Sequence, residues 1–325
     1  MDEIVFEQRT DLSQLNEAVF AVTGEIRKVI VGQEEMIKLI IAAIIADGHV
    51  LIEGAPGVAK TLTARLVAKS IAVDFSRIQF TPDLMPSDVL GTSIFNPRDS
   101  VFEFKKGPVF SNIVLIDEIN RAPAKTQAAL FEVMEERQVT MDGHSYAMAA
   151  PFMIVATQNP IDYEGTYRLP EAQLDRFLFK ITVPYPTEEQ EASILSRLHS
   201  LGHTEVLDSV QAVLTAEQVS VVRKLVKNIL VEDKLLQFIA RITVTTRNHK
   251  SIFLGASPRA SLALLNAAKA FAALSGRDFV IPDDIIAVAP HVLRHRLLLT
   301  PDKEMEGVTT DDVIQQVIHS LEIPR

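Results

Sequence analysis

The chain has 325 residues, of which 47% are hydrophobic and 23% charged, and its formal net charge is -10 at pH 7. This balance is typical of a soluble globular protein, and the length favours two domains. The acidic charge argues against nucleic acid or an anionic lipid surface as the main partner. Because the chain has no cysteine, disulfides and thiolate metal sites are excluded.

The N-terminal residues and the apolar runs of the chain predict its cellular location. Residues 1–11 are acidic and lack the basic start and apolar run of a signal peptide. The most apolar segment, Ile37 to Ala46, is too short to cross a bilayer. We therefore expect a cytoplasmic protein that does not enter the membrane.

Helical and strand patterns alternate along the first part of the chain. Apolar residues recur at helical spacing over residues 12–29 and 34–46, which predicts two helices. The predicted strands that follow are residues 49–53, 112–116, 152–156 and 177–183, and helical patterns cover residues 60–70 and 123–136. This alternation indicates a parallel sheet with helices on both faces.

Helical periodicity dominates after Pro186. The predicted helices are residues 188–199, 216–229, 233–246, 258–275 and 282–298. The sequence therefore predicts an α/β domain over residues 1–200 and a helical domain over residues 201–325.

A glycine-rich segment joins the first predicted strand of the sheet to a helix. It reads Gly54-Ala55-Pro56-Gly57-Val58-Ala59-Lys60-Thr61, with Leu62 next. Backbone N–H groups of such a loop, together with the helix N-terminus, bind phosphate. We expect the whole segment through Leu62 to contact a nucleotide, with Lys60 on its β and γ phosphates and Thr61 on Mg²⁺.

One residue departs from the phosphate-loop pattern. The pattern G-x-x-x-x-G-K-[ST] has glycine where this chain has Ala59. Alanine is tolerated there if the residue has ordinary helical dihedrals, and on that condition we expect nucleotide binding to be retained.

Two carboxylates follow the apolar run of residues 112–116. Asp117 is expected to hold Mg²⁺ or its water, and Glu118 to orient and deprotonate the water that attacks a γ-phosphate. An Asp-Glu pair at this place can instead cap the next helix. Its combination with Lys60 and Thr61 favours ATP hydrolysis.

Together these motifs resemble the MoxR family of AAA+ ATPases over nearly the whole chain. The segments that carry the resemblance are Ile116–Pro123, Lys125–Gln127, Glu136–Val139, Ala156–Pro160, Glu164–Tyr167, Leu169–Phe177 and Ser257–Arg259. The resemblance implies a P-loop NTPase fold, in which a parallel sheet core is followed by a small all-α lid. It also implies ATP and Mg²⁺ as ligands, and in this family alanine is a common variant at the position of Ala59.

The resemblance assigns roles to two residues near the end of the sheet domain. Asn159 would be sensor 1, beside Glu118, and Arg176 would be the arginine finger that acts on the neighbouring subunit's γ-phosphate. The local sequence alone leaves other interpretations open, because Asn159 also suits a turn and Arg176 an ion pair with Asp175. Arg168 and Arg121 are alternative interface arginines.

In the helical domain, Arg259 would be sensor 2. Ser257 suits an N-cap and Pro258 the first helical position, so Arg259 is predicted in the first turn of a helix. A cation there opposes the helix dipole unless an anion is near, and ATP phosphate would be that anion.

Further segments resemble loops that contact nucleotide or partner. Val31-Gly32-Gln33 resembles the loop that lines the adenine pocket, although a simple turn and cap is the alternative. Residues 83–109 are predicted to be a loop-rich insertion, and residues 139–148 a hairpin that turns at Asp142-Gly143. The His199/His203 and His291/His295 pairs lack a third ligand and are expected to be solvated or core histidines.

The resemblance implies a homo-oligomer, expected to be a hexameric ring, that couples ATP hydrolysis to chaperone-like remodelling or maturation of protein complexes. Such work includes cofactor or metal insertion, usually with a partner that bears a von Willebrand factor A domain. The alternatives are a nucleic-acid motor, which the acidic charge disfavours, and a nucleotide-gated switch with little turnover.

Overall fold

The computed structural model describes residues 13–159, 167, 169–201 and 206–324. The helices and strands, numbered along the chain, are α1 Ser13–Arg27, α2 Glu34–Ile45, β1 Val50–Gly54, α3 Lys60–Ser70, β2 Phe75–Gln79, α4 Pro86–Leu90, β3 Gly91–Asn96, β4 Val101–Lys106, β5 Ile113–Asp117, α5 Ala124–Glu136, β6 Gln138–Met141, β7 His144–Ala147, β8 Met153–Gln158, α6 Glu171–Leu174, β9 Phe179–Val183, α7 Glu188–Leu201, α8 Ala216–Lys227, α9 Asp233–Asn248, β10 Ile252–Leu254, α10 Pro258–Leu274, α11 Pro282–Leu293, β11 Leu298–Leu299, α12 Pro301–Met305 and α13 Thr310–His319. They form two compact units, one of residues 21–220 and one of residues 221–324 with residues 13–20.

A parallel five-stranded sheet forms the centre of the unit of residues 21–220. Its strand order is β2-β5-β8-β1-β9, and each neighbouring pair is parallel. The interior strand β5, between β2 and β8, is buried at every position, as expected where helices cover both faces of a parallel sheet. The predicted α/β fold with a helical second domain is confirmed.

The edge strand β2 is missing from the sequence prediction. It has the sequence FSRIQ and buries only Ile78, so it shows neither an apolar run nor a strict alternation. Even so, it pairs with β5 along its whole length, with Gln79 opposite Asp117.

Each of the two predicted insertions contains an antiparallel hairpin. Residues 139–148 turn at Asp142 and Gly143, whose φ angles are 52° and 77°, so the predicted two-residue turn is confirmed. The prediction of a loop-rich stretch over residues 83–109 is wrong, because α4 and the paired strands β3 and β4 occupy most of it. Phe95 faces Phe102 across that hairpin with ring centroids 5.3 Å apart.

The other unit is mainly helical, with α10 packed on α11 and α9. A partly buried ion pair joins the start of α11 to the segment before it: Arg277 donates to both carboxylate oxygens of Asp284, at 2.6 and 2.7 Å. The prediction of one helix over residues 282–298 is wrong at its C-terminal end. Here α11 ends at Leu293, and Leu298 pairs with β10.

The paired histidines of this unit belong to the core. His291 and His295 are 9% and 6% exposed, and His295 lies beyond the end of α11. Within the part of the chain that the structure describes, no three His, Cys, Asp or Glu side chains cluster as a metal site would require. The same residues include no helix with the length and apolar character needed to traverse a bilayer.

Candidate nucleotide site

The phosphate loop lies between the end of β1 and the start of α3. Its first residue, Gly54, approaches β9 so closely that a Cβ there would lie 2.7 Å from the carbonyl oxygen of Val183. Gly57 has a φ of 86°, with open space around it. Glycine is therefore required at Gly54 for close packing and at Gly57 for the backbone conformation.

Ala59 adopts a left-handed conformation, with φ 61° and ψ 20°. The condition of ordinary helical dihedrals at this position is therefore not met. Ala59 is the N-cap of α3, and its carbonyl accepts the first helical hydrogen bond from the backbone of Thr63 at 2.9 Å. The methyl group costs about 1–2 kcal/mol in this conformation.

Lys60 folds back over the loop that precedes it. Its Nζ donates to the carbonyl of Gly54 at 2.5 Å. Burial lowers the pKa of Lys60, and the nearby carboxylates of Asp117, Glu118 and Glu53 act in the opposite direction. The ammonium group thus lies among anionic groups beside the loop.

Asp117 is the most heavily contacted carboxylate of the site. Its Oδ1 accepts from the hydroxyl of Thr157 at 3.0 Å, and its Oδ2 accepts from Arg77 Nε at 2.6 Å. The Thr61 hydroxyl faces both oxygens at 3.4 and 3.5 Å. A hydroxyl and a carboxylate are hard oxygen ligands of the kind that Mg²⁺ prefers, so Thr61 and Asp117 fit that ion.

Glu118 is held by residues of its own chain. Its Oε2 lies 2.8 Å from Arg121 Nε and accepts from Gln79 Nε2 at 3.0 Å. Its backbone is left-handed, with φ 57° and ψ 53°, and its N–H donates to the Thr157 hydroxyl at 3.1 Å. Backbone strain of this kind concentrates at functional sites.

Three contributors to this arrangement lie outside the residues predicted from the sequence. Arg77 and Gln79 come from β2, the strand that the apolar pattern does not reveal. Thr157 comes from the predicted strand β8, and its single hydroxyl contacts both Asp117 and Glu118. A parallel-sheet argument could have found Thr157, because β8 pairs with β5 in register and so ends beside Asp117.

A cavity of about 230 Å³ adjoins the phosphate loop. It is lined by Val29, Ile30, Val31, Gln33, Gly57, Val58, Ala59, Leu62, Pro186, Ile194 and Arg197. Gly32 lies in sequence between the lining residues Val31 and Gln33; its φ is 73°, and a Cβ there would lie 2.3 Å from Cδ of Gln190. Gln33 is the N-cap of α2 but makes no side-chain capping hydrogen bond.

The structure also shows where most of the other residues predicted from the sequence lie. Asn159 directly follows β8, which lies between β1 and β5 in the sheet. Arg176 contacts α5 of its own chain, donating to the Phe131 carbonyl at 2.5 Å. Arg259 is in the first turn of α10, after the N-cap Ser257, as predicted, and belongs to the other compact unit. Arg168 lies outside the described residues.

Known families match both parts of the chain. The ATPase family associated with various cellular activities (AAA) matches residues 49–179, and the AAA lid domain matches residues 244–317. These matches and the parallel sheet with its phosphate loop define the chain as a AAA+ ATPase.

Individual relatives narrow this class. The chain is 48% identical to the uncharacterized protein YeaC of Bacillus subtilis over 92% of each chain. It is 42% identical to Chaperone MoxR1 of Mycobacterium tuberculosis over 97% of this chain and 84% of that protein. A crystal structure from Cytophaga hutchinsonii, 40% identical over 97% of each chain, has the same fold with a TM-score of 0.90. The chain belongs to the MoxR family of AAA+ ATPases.

Proposed function

We propose that the site hydrolyses Mg²⁺-ATP with the adenine in the cavity beside residues 29–33 and the phosphates on the loop of residues 54–62. The proposal is carried by the contact between the Thr61 hydroxyl and the Asp117 carboxylate at the carboxyl edge of the sheet, where Glu118 is the next residue. Ligands of parallel α/β sheets bind at that edge. Gly32 and Gln33 would border the base.

The chemistry assigned to each residue follows from its position. Glu118 accepts a proton from the attacking water, whose oxygen bonds to the γ-phosphorus as the bond to the β–γ bridging oxygen breaks. Lys60 and the loop N–H groups stabilise the charge on the phosphates and on departing ADP. Magnesium, held by Thr61 and Asp117, would neutralise phosphate charge.

We assign Asn159 as sensor 1, Arg259 as sensor 2 and Arg176 as the finger that acts on a neighbouring subunit. AAA+ ATPases typically form oligomers, and we propose a hexameric ring here. The ion pair between Arg121 and Glu118 of the same chain supports Arg176 over Arg121 as the finger, because Arg121 already serves its own site.

Mixing two inactive variants tests the assignment of Arg176. Arg176→Ala and Glu118→Gln should each lack ATPase activity alone. Mixed oligomers should regain part of it, since some sites would combine an intact Glu118 with a neighbour's intact Arg176. Full activity of an assembled Arg176→Ala chain would refute the finger.

We further propose a chaperone-like role in which hydrolysis remodels or matures a protein complex, including cofactor or metal insertion, with a partner that bears a von Willebrand factor A domain. Support comes from the relative named Chaperone MoxR1 and from the exposed tip of the β3–β4 hairpin. There Phe95 is 49% and Phe102 72% exposed, and exposed apolar groups of this size suit a protein contact.

Capture of the partner tests this role. Glu118→Gln, loaded with ATP in cells and purified, should retain a protein partner that Lys60→Ala, impaired in nucleotide binding, releases. Replacing Phe95 and Phe102 by serine should lower the amount of retained partner without changing basal ATPase activity. Recovery of nucleic acid alone would contradict the protein-remodelling role.

A further inference from the structure

The edge strand β2 places a cation on the carboxylate that is proposed to hold magnesium. Arg77 Nε lies 2.6 Å from Asp117 Oδ2, a length typical of a strong charge-assisted hydrogen bond. The side chain of Asp117 is only 9% exposed, whereas that of Arg77 is 54% exposed. The buried partner is therefore fixed, and the exposed arginine is the one with room to move.

Asp117 needs a positive partner at this depth. A buried carboxylate is costly unless it is paired, and its other hydrogen bonds come from the uncharged hydroxyls of Thr157 and Thr61. Lys60, which also interacts electrostatically with Asp117, donates its hydrogen bond to the Gly54 carbonyl instead. Among the residues that the structure describes, Arg77 is thus the cation in direct contact with Asp117.

The two carboxylate oxygens of Asp117 are engaged differently. Oδ1 is bonded by the buried hydroxyl of Thr157, which also holds the backbone of Glu118. Oδ2 is bonded by Arg77. A divalent cation between Thr61 and Asp117 would draw on the same negative charge that Arg77 neutralises.

We propose that Arg77 is a positioning residue that serves as the counter-ion of Asp117 before magnesium binds and competes with magnesium for this carboxylate. The proposal rests on the magnesium site proposed above. Arg77 pairs with the Asp117 carboxylate and orients it before magnesium binds, and magnesium entry with ATP weakens this contact. Nucleotide binding then requires more magnesium than it would without Arg77.

Magnesium titration of nucleotide binding tests this role without reference to turnover. Binding of a fluorescent ATP analogue is followed as magnesium is added to chelator-treated protein. For Arg77→Ala the magnesium concentration at half-saturation should fall on the order of threefold or more. Arg77→Lys, which keeps the charge, should stay near the wild type, as should Arg98→Ala, which removes an exposed arginine of the β3–β4 hairpin.

Thermal unfolding of the nucleotide-free protein supplies the second measurement. In chelator, Arg77→Ala should unfold about 1–3 °C below the wild type. Added magnesium should raise the unfolding midpoint of Arg77→Ala by more than it raises that of the wild type. In an Asp117→Asn background, Arg77→Ala should have no effect on stability, because the charge it balances is gone.

The outcomes separate this role from the magnesium site itself. If the wild type needs magnesium but Arg77→Ala has an unchanged or higher half-saturation, the role of Arg77 is refuted and the magnesium site stands. A wild type that binds nucleotide without any response to magnesium refutes both.

Discussion

The left-handed alanine of the phosphate loop gives a prediction whose sign is unusual. Ala59 has a φ of 61°, which costs an L-residue about 1–2 kcal/mol. Replacement by glycine removes that strain but adds about 0.5–1 kcal/mol of chain entropy to the unfolded state. The balance predicts that Ala59→Gly stabilises the protein by roughly 0.5–1 kcal/mol, or about 1–4 °C in the unfolding midpoint of a unit this size.

Two other alanines provide matched controls. Ala72, just after α3, is exposed and also left-handed, with a φ of 51°, so Ala72→Gly should stabilise by a similar amount. Ala128 is exposed within α5, where glycine costs about 1 kcal/mol. Ala128→Gly should therefore destabilise.

Thermal and urea unfolding without nucleotide measure all three variants, and a fluorescent ATP analogue measures binding. We expect Ala59→Gly to keep nucleotide binding, because the strain comes from the methyl group and not from the loop conformation. An Ala59→Gly variant that is destabilised as much as Ala128→Gly would refute the assignment of strain to Ala59.

Two further predictions concern hydrogen bonds to carboxylates. Thr157→Val removes the hydroxyl that contacts Asp117 and Glu118 and should lower kcat at least about tenfold, with a smaller change in ATP affinity. Thr157→Ser keeps the hydroxyl and should be nearly normal. Equal losses of kcat and ATP affinity in Thr157→Val would contradict this. The pKa of Glu25 lies below its ordinary value of 4.5 because the carboxylate accepts hydrogen bonds from the backbone of Gln211 and from Lys28. The carboxylate therefore stabilises the folded protein fully above pH 4.5, and this contribution is lost as the pH falls through the lowered pKa. Glu25→Gln should therefore be less stable than the wild type at pH 7, and the difference in stability should disappear well below pH 4.5. A difference in stability that is constant with pH would contradict this role of the Glu25 carboxylate.

The parts of the fold that follow from sequence are those that bury apolar faces. The strands β1, β5, β8 and β9 are apolar runs and were predictable, as was the phosphate loop, because its residue types are fixed by backbone geometry. The end of α11 was not, because the local pattern continues through residues 294–298 while pairing with β10 imposes a strand there. Tertiary pairing overrides local periodicity in such places.

The half of the site that sequence does not reveal comes from the edge of the sheet. An edge strand pairs on one side only and can carry polar side chains at its solvent-exposed positions. It therefore lacks the apolar run that identifies a buried strand. Arg77 and Gln79 occupy such positions on β2, and their significance appears only when β2 is paired with β5. For the same reason, the contacts of Arg77 with Asp117 and of Gln79 with Glu118 could not be foreseen from the motif that contains these carboxylates.

The proposed hydrolysis depends above all on Glu118, which activates the water that attacks ATP at this site. The direct test is ATP hydrolysis by purified Glu118→Gln at saturating Mg²⁺-ATP, with ATP affinity measured on the same preparation. We expect at least about a hundredfold loss of turnover with ATP affinity within a few fold of the wild type. Turnover equal to that of the wild type, whether both are fast or both negligible, would contradict it.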